Sequence, residues 1–258
     1  MKSGLDSQKT SMKAVVLHEF GTEDQLVAEQ IPIPEVGDEE VMVKVEYAGV
    51  GRWDIFEREG GYTEMVGVQA EFPYVLGSEG AGRITAIGKN VEGFEIGDKV
   101  IGARFLNPKG GFYAEYAAID QKFVTHLPKS LSMQEAGVIS GVGLTALRGL
   151  EDVLHLKQDE SIVILGASGG VGHIAAQLAR QMGARVLAIA SGEDGVKMVR
   201  ELGIDNVIDG YGADLLSALK IVEPEGFDAA LFTAGGETAN TIAQAILPGG
   251  RIAYPTGV

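Results

Sequence analysis

The chain has no cysteine among its 258 residues, which removes disulfides and thiolate metal sites and agrees with a reducing compartment. It also lacks any run approaching the roughly 18 apolar residues of a membrane-spanning helix. Its opening, MKSGLDSQKTS, is polar and has no apolar core of a secretory signal. A cytoplasmic protein is expected. Basic residues are scarce: 21 Lys and Arg stand against 36 Asp and Glu, a net charge of −15. That balance opposes general affinity for nucleic acid or anionic membrane, so a phosphate-bearing ligand needs a local site built for it. Glycine, in contrast, is plentiful. The 37 glycines are about twice the ordinary share and point to many tight turns and close backbone approaches.

Regular patterning begins at Met12, so residues 1–11 read as a disordered extension or a leftover of cloning. Residues 12–130 carry mostly short strands: Val41, Val43 and Val45 alternate with Met42 and Lys44, and similar runs lie around Arg83 to Ile87, Lys99 to Ile101 and Tyr113 to Ile119. A small barrel-like β domain is expected. Around residue 130 the character changes. Ser132 with Glu135 forms a capping-box pattern, and a helical stretch of small and apolar residues runs to about Val153. Beyond it, strand-like runs begin near Ser161, Arg185, Asn206, Phe227 and Arg251, separated by segments of helical period. The alternation predicts a parallel sheet with crossover helices over 131–258, an α/β domain. In the first of those helices Val171, Ile174, Ala175, Leu178, Ala179 and Met182 recur at three-to-four spacing, and Gly183 stands where a left-handed cap belongs. The commonest dinucleotide sheet has six strands, whereas this chain stops just after the fifth; truncation is the expectation.

The strongest local signal follows the strand Ser161 to Leu165. In Gly166-Ala167-Ser168-Gly169-Gly170-Val171-Gly172, residues Ala167, Gly169 and Gly172 reproduce the spacing of a dinucleotide phosphate loop with Ala in first place. Gly169 would admit a pyrophosphate close to the main chain, and Gly172 would let the helix pack on the strand. The helix N-terminus then offers free N–H groups and a positive dipole end, so no basic side chain is required. A tight turn could need the same residues for structure alone; the strand before, the helix after and the further alternations favour a cofactor. Ala167, Ser168, Gly169, Gly170, Val171 and Gly172 are therefore cofactor candidates. Thr233, Ala234 and Gly235, with Pro255, Thr256 and Gly257, join them because they follow strands four and five, where such sheets bind ligand.

An NAD site normally has Asp or Glu about 20 residues on, closing the second strand. Here Arg185 to Ala190 ends in Ser191-Gly192. Ser191 can donate a hydrogen bond and leaves room for a phosphate, which a carboxylate would repel. Lys197 and Arg200 follow and could reach it, although Glu193 and Asp194 lie beside them. NADPH is the expected cofactor.

Several N-terminal blocks now acquire meaning: Ala48-Gly49-Val50-Gly51-Arg52-Trp53-Asp54, Tyr62, Pro73 to Gly82, Gly93 to Val100, Gly111 to Tyr116 and Leu144-Thr145-Ala146. With the phosphate loop and Pro248-Gly249-Gly250-Arg251, their order resembles the medium-chain dehydrogenases and reductases, from Met12 to Val258. The resemblance implies a GroES-like β-barrel catalytic domain over 12–130 followed by a Rossmann doubly wound sheet over 131–258, and a homodimer for the complete chain. Zinc-dependent members of that family place Cys near Gly49-Val50-Gly51 and His where Ser78 stands, and carry further cysteines. This chain therefore resembles the zinc-free quinone reductases, the zeta-crystallin group, with no metal expected.

That resemblance implies hydride transfer from NADPH to a quinone, enone or other conjugated carbonyl, whose delocalised charge dispenses with a Lewis acid. Tyr62 matches a pocket tyrosine that hydrogen-bonds a carbonyl oxygen, or else it packs on the β domain. Asp54 and Thr145 complete the catalytic candidates, with loop ordering and helix membership as their alternatives. Gly51, Arg52 and Trp53 depart from the family's usual residues. The alternative is a catalytically silent NADPH-binding structural or regulatory protein of the same fold; a zinc alcohol dehydrogenase is a more distant one.

Overall fold

A computed structural model describes residues 2–3, 10–67, 71–211 and 214–255. They form two compact units that divide between Gly141 and Val142, and no helix among the described residues is long and apolar enough to cross a membrane.

Unit 1 contains, in chain order, β1 (Lys2–Ser3), β2 (Ser11–Leu17), β3 (Val27–Pro32), β4 (Glu40–Ala48), α1 (Arg52–Arg58), α2 (Gly61–Val66), β5 (Tyr74–Val75), β6 (Glu79–Ile87), β7 (Lys99–Ala103), β8 (Tyr116–Asp120) and β9 (Val124–His126). Antiparallel pairing orders one sheet β8-β4-β6-β7-β9 and a second β3-β2-β5. Alternation along β4 sends Val41 and Val43 into a cluster with Ile84, Val100, Phe112 and Ile119. Met42, on the other face, joins Met12, Ala86 and Ala118. Both faces of this central strand are thus covered.

Three sequence expectations change here. Lys2 and Ser3, read as part of a disordered extension, pair with Ile87 and Ala86 of β6; residues 1 and 4–9 lie outside the described residues. The stretch after β4, read as part of a strand-rich domain, holds two short helices, and Tyr62 lies on the second. Their period is hidden because α1 and α2 span only 7 and 6 residues. Finally, the boundary falls within α3 (Met133–Arg148) rather than near 130. The first turns of α3 belong with unit 1: a β-carbon at Gly137 would stand 2.7 Å from Tyr47 Cβ, and the Gly141 N–H donates to Glu79 Oε2 at 2.7 Å. The capping box at the start of α3 is formed, with Ser132 N–H donating to Glu135 Oε2 (2.8 Å) and Glu135 N–H to Ser132 Oγ (3.2 Å).

Unit 2 takes the remainder of α3, a π-helical turn at Gly149–Val153, then β10 (Ser161–Leu165), α4 (Gly170–Gln181), β11 (Arg185–Ala190), α5 (Gly192–Glu201), β12 (Val207–Asp209), α6 (Leu215–Val222), β13 (Phe227–Phe232), α7 (Glu237–Ala243) and β14 (Ile246–Ala253). The five strands are parallel in the order β12-β11-β10-β13-β14, so β10 is central and the chain changes direction on either side of it. All five residues of β10 are buried because helices cover both faces. Ile162 and Ile164 pack with Ala175, Ala176 and Ala179 of α4 and Val199 of α5; Val163 and Leu165 pack with Leu219 of α6 and Ile242 of α7. The small residues of α4 let it lie flat on the sheet. It ends at Gly183, whose φ of 83° is the left-handed value expected of a cap.

Candidate active site

In unit 2 the chain leaves β10 by a tight corner. Gly166 has φ 78°, and its N–H and that of Ala167 both donate to Ile189 O of β11 at 3.0 and 2.9 Å. On the other side the Thr233 hydroxyl, at the end of β13, donates to Leu165 O at 2.7 Å. A β-carbon at Gly172 would stand 2.1 Å from Gly166 O, a distance no larger residue tolerates, so glycine there lets α4 begin against the strand it follows. Gly169 is the N-cap of α4 in extended conformation, and Gly169 and Gly170 are exposed. First-turn amides of a helix have no intrahelical acceptor and sit at the positive end of its dipole. The corner therefore presents an accessible, glycine-lined cradle of N–H donors where β10 and β13 diverge, the position at which such sheets receive ligands.

Ser168 links this corner to the next strand, its hydroxyl oxygen accepting from Ser191 N–H at 3.4 Å. Ser191 is exposed and N-caps α5. Asp209, which sequence reasoning missed, closes β12 beside it and accepts from Gly192 N–H (2.9 Å) and Tyr211 N–H (3.0 Å). The only signal for it was an acid ending the third strand. Lys197 and Arg200 line a groove of about 570 Å³ together with Glu193, Val196, Glu201 and Asp209, so two cations there face three carboxylates. Ala234 and Gly235 are exposed after β13. Thr145 of α3 and Pro255 border a smaller recess of about 260 Å³ with Arg148, Val153 and Tyr254. Thr256 and Gly257 lie outside the described residues.

In unit 1, β4 delivers the chain into α1, where Asp54 Oδ2 accepts the Gly51 N–H at 2.7 Å and closes the first turn. The same carboxylate makes long contacts to Ser78 N (3.4 Å) and Ser78 Oγ (3.5 Å). Ser78 Oγ also lies 3.2 Å from Glu57 Oε2, and the Tyr74 hydroxyl donates to the other oxygen of Glu57. Asp54, Glu57, Ser78 and Glu79 are all at most 4 % exposed. Burial pushes the carboxyls of Asp54, Glu57 and Glu79 above their ordinary range, since the hydrogen bonds they accept only partly offset desolvation. Glu57 and Glu79 in such a cluster were not anticipated, because in sequence each reads as a surface acid. Tyr62 is raised as well, by burial first and then by the charges of Glu57 and Asp54; it keeps its proton and remains a donor. Its ring meets Phe56 edge-on at 4.9 Å and Phe105 at 5.6 Å.

The departures at 51 and 53 prove to be one feature. A β-carbon at Gly51 would stand 2.2 Å from Cε2 and 2.3 Å from Cζ2 of Trp53, and one at Gly141 would stand 3.2 Å from Cζ2. The indole thus occupies the volume a side chain at 51 would need. The four histidines serve elsewhere: His18 meets Glu29 at 3.1 Å, His126 meets Asp98 at 3.0 Å and stacks on Phe94, His173 Nδ1 lies 2.8 Å from Gly169 O, and His155 has a positive φ.

Comparison with known proteins agrees with this architecture. The alcohol dehydrogenase GroES-like domain model matches residues 37–129, and the zinc-binding dehydrogenase model matches residues 170–255. An NAD-dependent alcohol dehydrogenase of Sulfolobus acidocaldarius is 33 % identical over 252 residues, covering 88 % of this chain and 72 % of that protein. A quinone oxidoreductase of Pongo abelii is 32 % identical over 245 residues, covering 93 % and 72 %. Among solved structures, the quinone oxidoreductase from Coxiella burnetii superposes with a TM-score of 0.83 at 28 % identity, covering 94 % of this chain and 74 % of its own. With a GroES-like unit, a five-stranded Rossmann sheet and relatives of this similarity, the chain belongs to the medium-chain dehydrogenase/reductase superfamily of oxidoreductases.

Proposed function

We propose that the chain is an NADPH-dependent reductase of quinones, enones or similar conjugated carbonyls that works without zinc. The observation that carries this reading is the pairing of an open glycine corner at 166–172 with an uncharged residue, Ser191, at the end of β11. The corner fits a diphosphate, because Gly169 and Gly170 at the start of α4 are exposed, first-turn amides have no intrahelical acceptor, and glycine at 172 leaves no side chain in the way. Ala167 to Gly172 would hold the diphosphate, and Thr233 to Gly235 would flank it. Ser191 and Lys197 would meet the adenosine phosphate. The mixed charge of the groove beside them means that selection for that phosphate rests on these two residues rather than on a general positive field.

The residues do not fit a zinc ion. Where the family carries its zinc ligands this chain has the stretch Gly49-Val50-Gly51 and Ser78, the indole of Trp53 fills the space beside Gly51, and the chain has no cysteine. Bound NADPH would supply a hydride, which with one proton reduces an enone to the saturated carbonyl, or a quinone to the hydroquinone, leaving NADP⁺. Tyr62 donates a hydrogen bond to the acceptor oxygen and, with its raised pKa, keeps its own proton, so the proton consumed in the reduction comes from solvent. Asp54 keeps α1 and its loop in place through the Gly51 amide. Thr145 adds a hydroxyl at the recess it shares with Pro255.

The name of the Sulfolobus relative makes NADH the competing cofactor. Titration of both cofactors by fluorescence separates them: NADPH binds more tightly to the parent, and Ser191→Asp weakens NADPH about tenfold or more, the equivalent of about 1.4 kcal/mol, while NADH holds or gains. Equal affinities in the parent, or an unmoved ratio in the variant, would remove the assignment. NADPH binding without turnover on any quinone or enal would leave the silent alternative.

A further inference from the structure

Unit 1 carries an aromatic array that neither the fold nor the cofactor requires. Trp53 and Phe105 meet with centroids 6.2 Å apart at 72°, Phe105 and Tyr62 at 5.6 Å and 66°, and Tyr62 and Phe56 at 4.9 Å and 88°. These contacts run as one edge-to-face chain through α1, α2 and the loop after β7. The array is not a core: Phe56 is 44 % and Phe105 45 % exposed, as are Ile55 and Met65 on the same two helices. Isolated exposed hydrophobes need no explanation, but here two exposed rings, Phe56 and Phe105, are joined through the half-buried Tyr62 and Trp53 into one contiguous aromatic cluster.

We infer that Trp53, seated over Gly51, is the specificity-determining residue of this chain, and that with Phe105 and Phe56 it selects flat, fused-ring conjugated acceptors over small aliphatic ones. The inference rests on the reading of Tyr62 as the donor to the acceptor oxygen, since Tyr62 is the third ring of the array.

Three observations support it. The indole cannot have its place unless residue 51 lacks a side chain, so the chain carries the two changes together and gains a large ring beside the donor. Phe56 and Phe105 are exposed and can take a further ring, and each such contact is worth about 0.5 to 1.5 kcal/mol beyond the area buried. A short enal has no ring to offer and touches little of the array. The buried carboxyls of Asp54 and Glu57 beside Tyr62 disfavour anionic acceptors, which leaves neutral ones.

Trp53 is the single tryptophan of the chain, so its emission reads this surface without turnover. The intact protein, free of cofactor, is titrated with naphthoquinone and with crotonaldehyde, using free tryptophan amide as the collisional control. Saturable quenching by naphthoquinone and only collisional quenching by crotonaldehyde is the expected result. Quenching by naphthoquinone that merely matches the free indole would overturn the inference. In turnover, kcat/KM should favour naphthoquinone, and Phe105→Leu, at a half-exposed loop position, should lower that preference about tenfold through KM; Trp53→Leu should lower it further. Amide hydrogen exchange of β4 and β6, the central strands of unit 1, checks that both variants are folded. An unchanged preference in folded Phe105→Leu sinks the inference while leaving the reductase reading intact. Saturable quenching with no reduction of either acceptor would sink the reductase reading and keep the binding surface.

Discussion

Asp228 and Glu160 in unit 2 are half-buried and within reach of arginines, whereas Asp54, Glu57 and Glu79 in unit 1 are fully buried with hydroxyls and backbone amides as partners. Asp228 Oδ2 accepts from Ser161 N–H at 2.8 Å and Ser161 Oγ–H at 2.9 Å, bonds that hold its carboxyl below the ordinary range with help from Arg185 and Arg251. Glu160 is lowered in the same way by its 2.5 Å pair with Arg251. These acids tie β10, β13 and β14 together beside the starts of β10 and β13, at the end away from the glycine corner. In unit 1 desolvation wins and the carboxyls are raised. A lowered pKa means that folding favours the charged form and gains stability at neutral pH; a raised one means that it does not. The acids of unit 2 are structural, and those of unit 1 are retained against stability, as functional sites often show.

The largest test of that contrast is Asp228→Ala. Losing a charged acceptor and stranding both donors of Ser161 should cost about 2 to 3 kcal/mol at neutral pH, seen as faster hydrogen exchange of the β10 amides. Because the folded pKa is depressed, the native advantage is present above the ordinary carboxylate range and is lost as pH falls through the folded value. The parent and the variant should therefore converge in acid. A penalty that persists there would mean that the side chain acts by packing, and the comparison would lose one side.

A smaller effect, about 1 kcal/mol, is expected from Ser132→Ala, which removes the N-cap of α3. Since the first turns of α3 pack against Tyr47, Trp53 and Glu79, the loss should appear in the unfolding transition reported by Trp53 emission. If β10 exchange accelerates equally, the two units are not energetically separate and the contrast between them must be redrawn.

The parts of this arrangement that sequence makes legible are local. The Ser132–Glu135 box, the Gly169 and Gly172 corner and the small-residue face of α4 are written within a few residues, and each is formed. The strand-helix alternation of unit 2 was readable for the same reason. What could not be read depends on distant partners. Nothing near Glu57 announces that Tyr74 and Ser78 will bury it, and nothing near Trp53 says that Gly141 of α3 will bound its indole. Asp209 likewise acquires its role only because β12 pairs beside β11. The glycine corner was thus accessible to motif reasoning and the polar interior of unit 1 was not, although both lie in candidate sites.

The finest probe of the comparison is Glu57→Gln, an isostere of the protonated acid. The folded carboxyl titrates above its unfolded value, chiefly because burial penalises the charge, so between the two values the native state binds more protons than the unfolded one. Unit 1 should therefore be most stable in mild acid and lose stability as pH rises from the ordinary carboxylate range through the folded value, opposite in sign to the Asp228 dependence. The amide cannot titrate and still accepts from Tyr74, so Glu57→Gln should flatten that slope and leave unit 1 slightly more stable at neutral pH. The net change is expected to be smaller than for either substitution above, because Asp54 and Glu79 keep their own share of the slope. Urea midpoints followed by Trp53 emission between mild acid and neutral pH measure it. A parent whose midpoint rises with pH, as the acids of unit 2 would dictate, would show that the buried carboxyls of unit 1 are paired in solution after all.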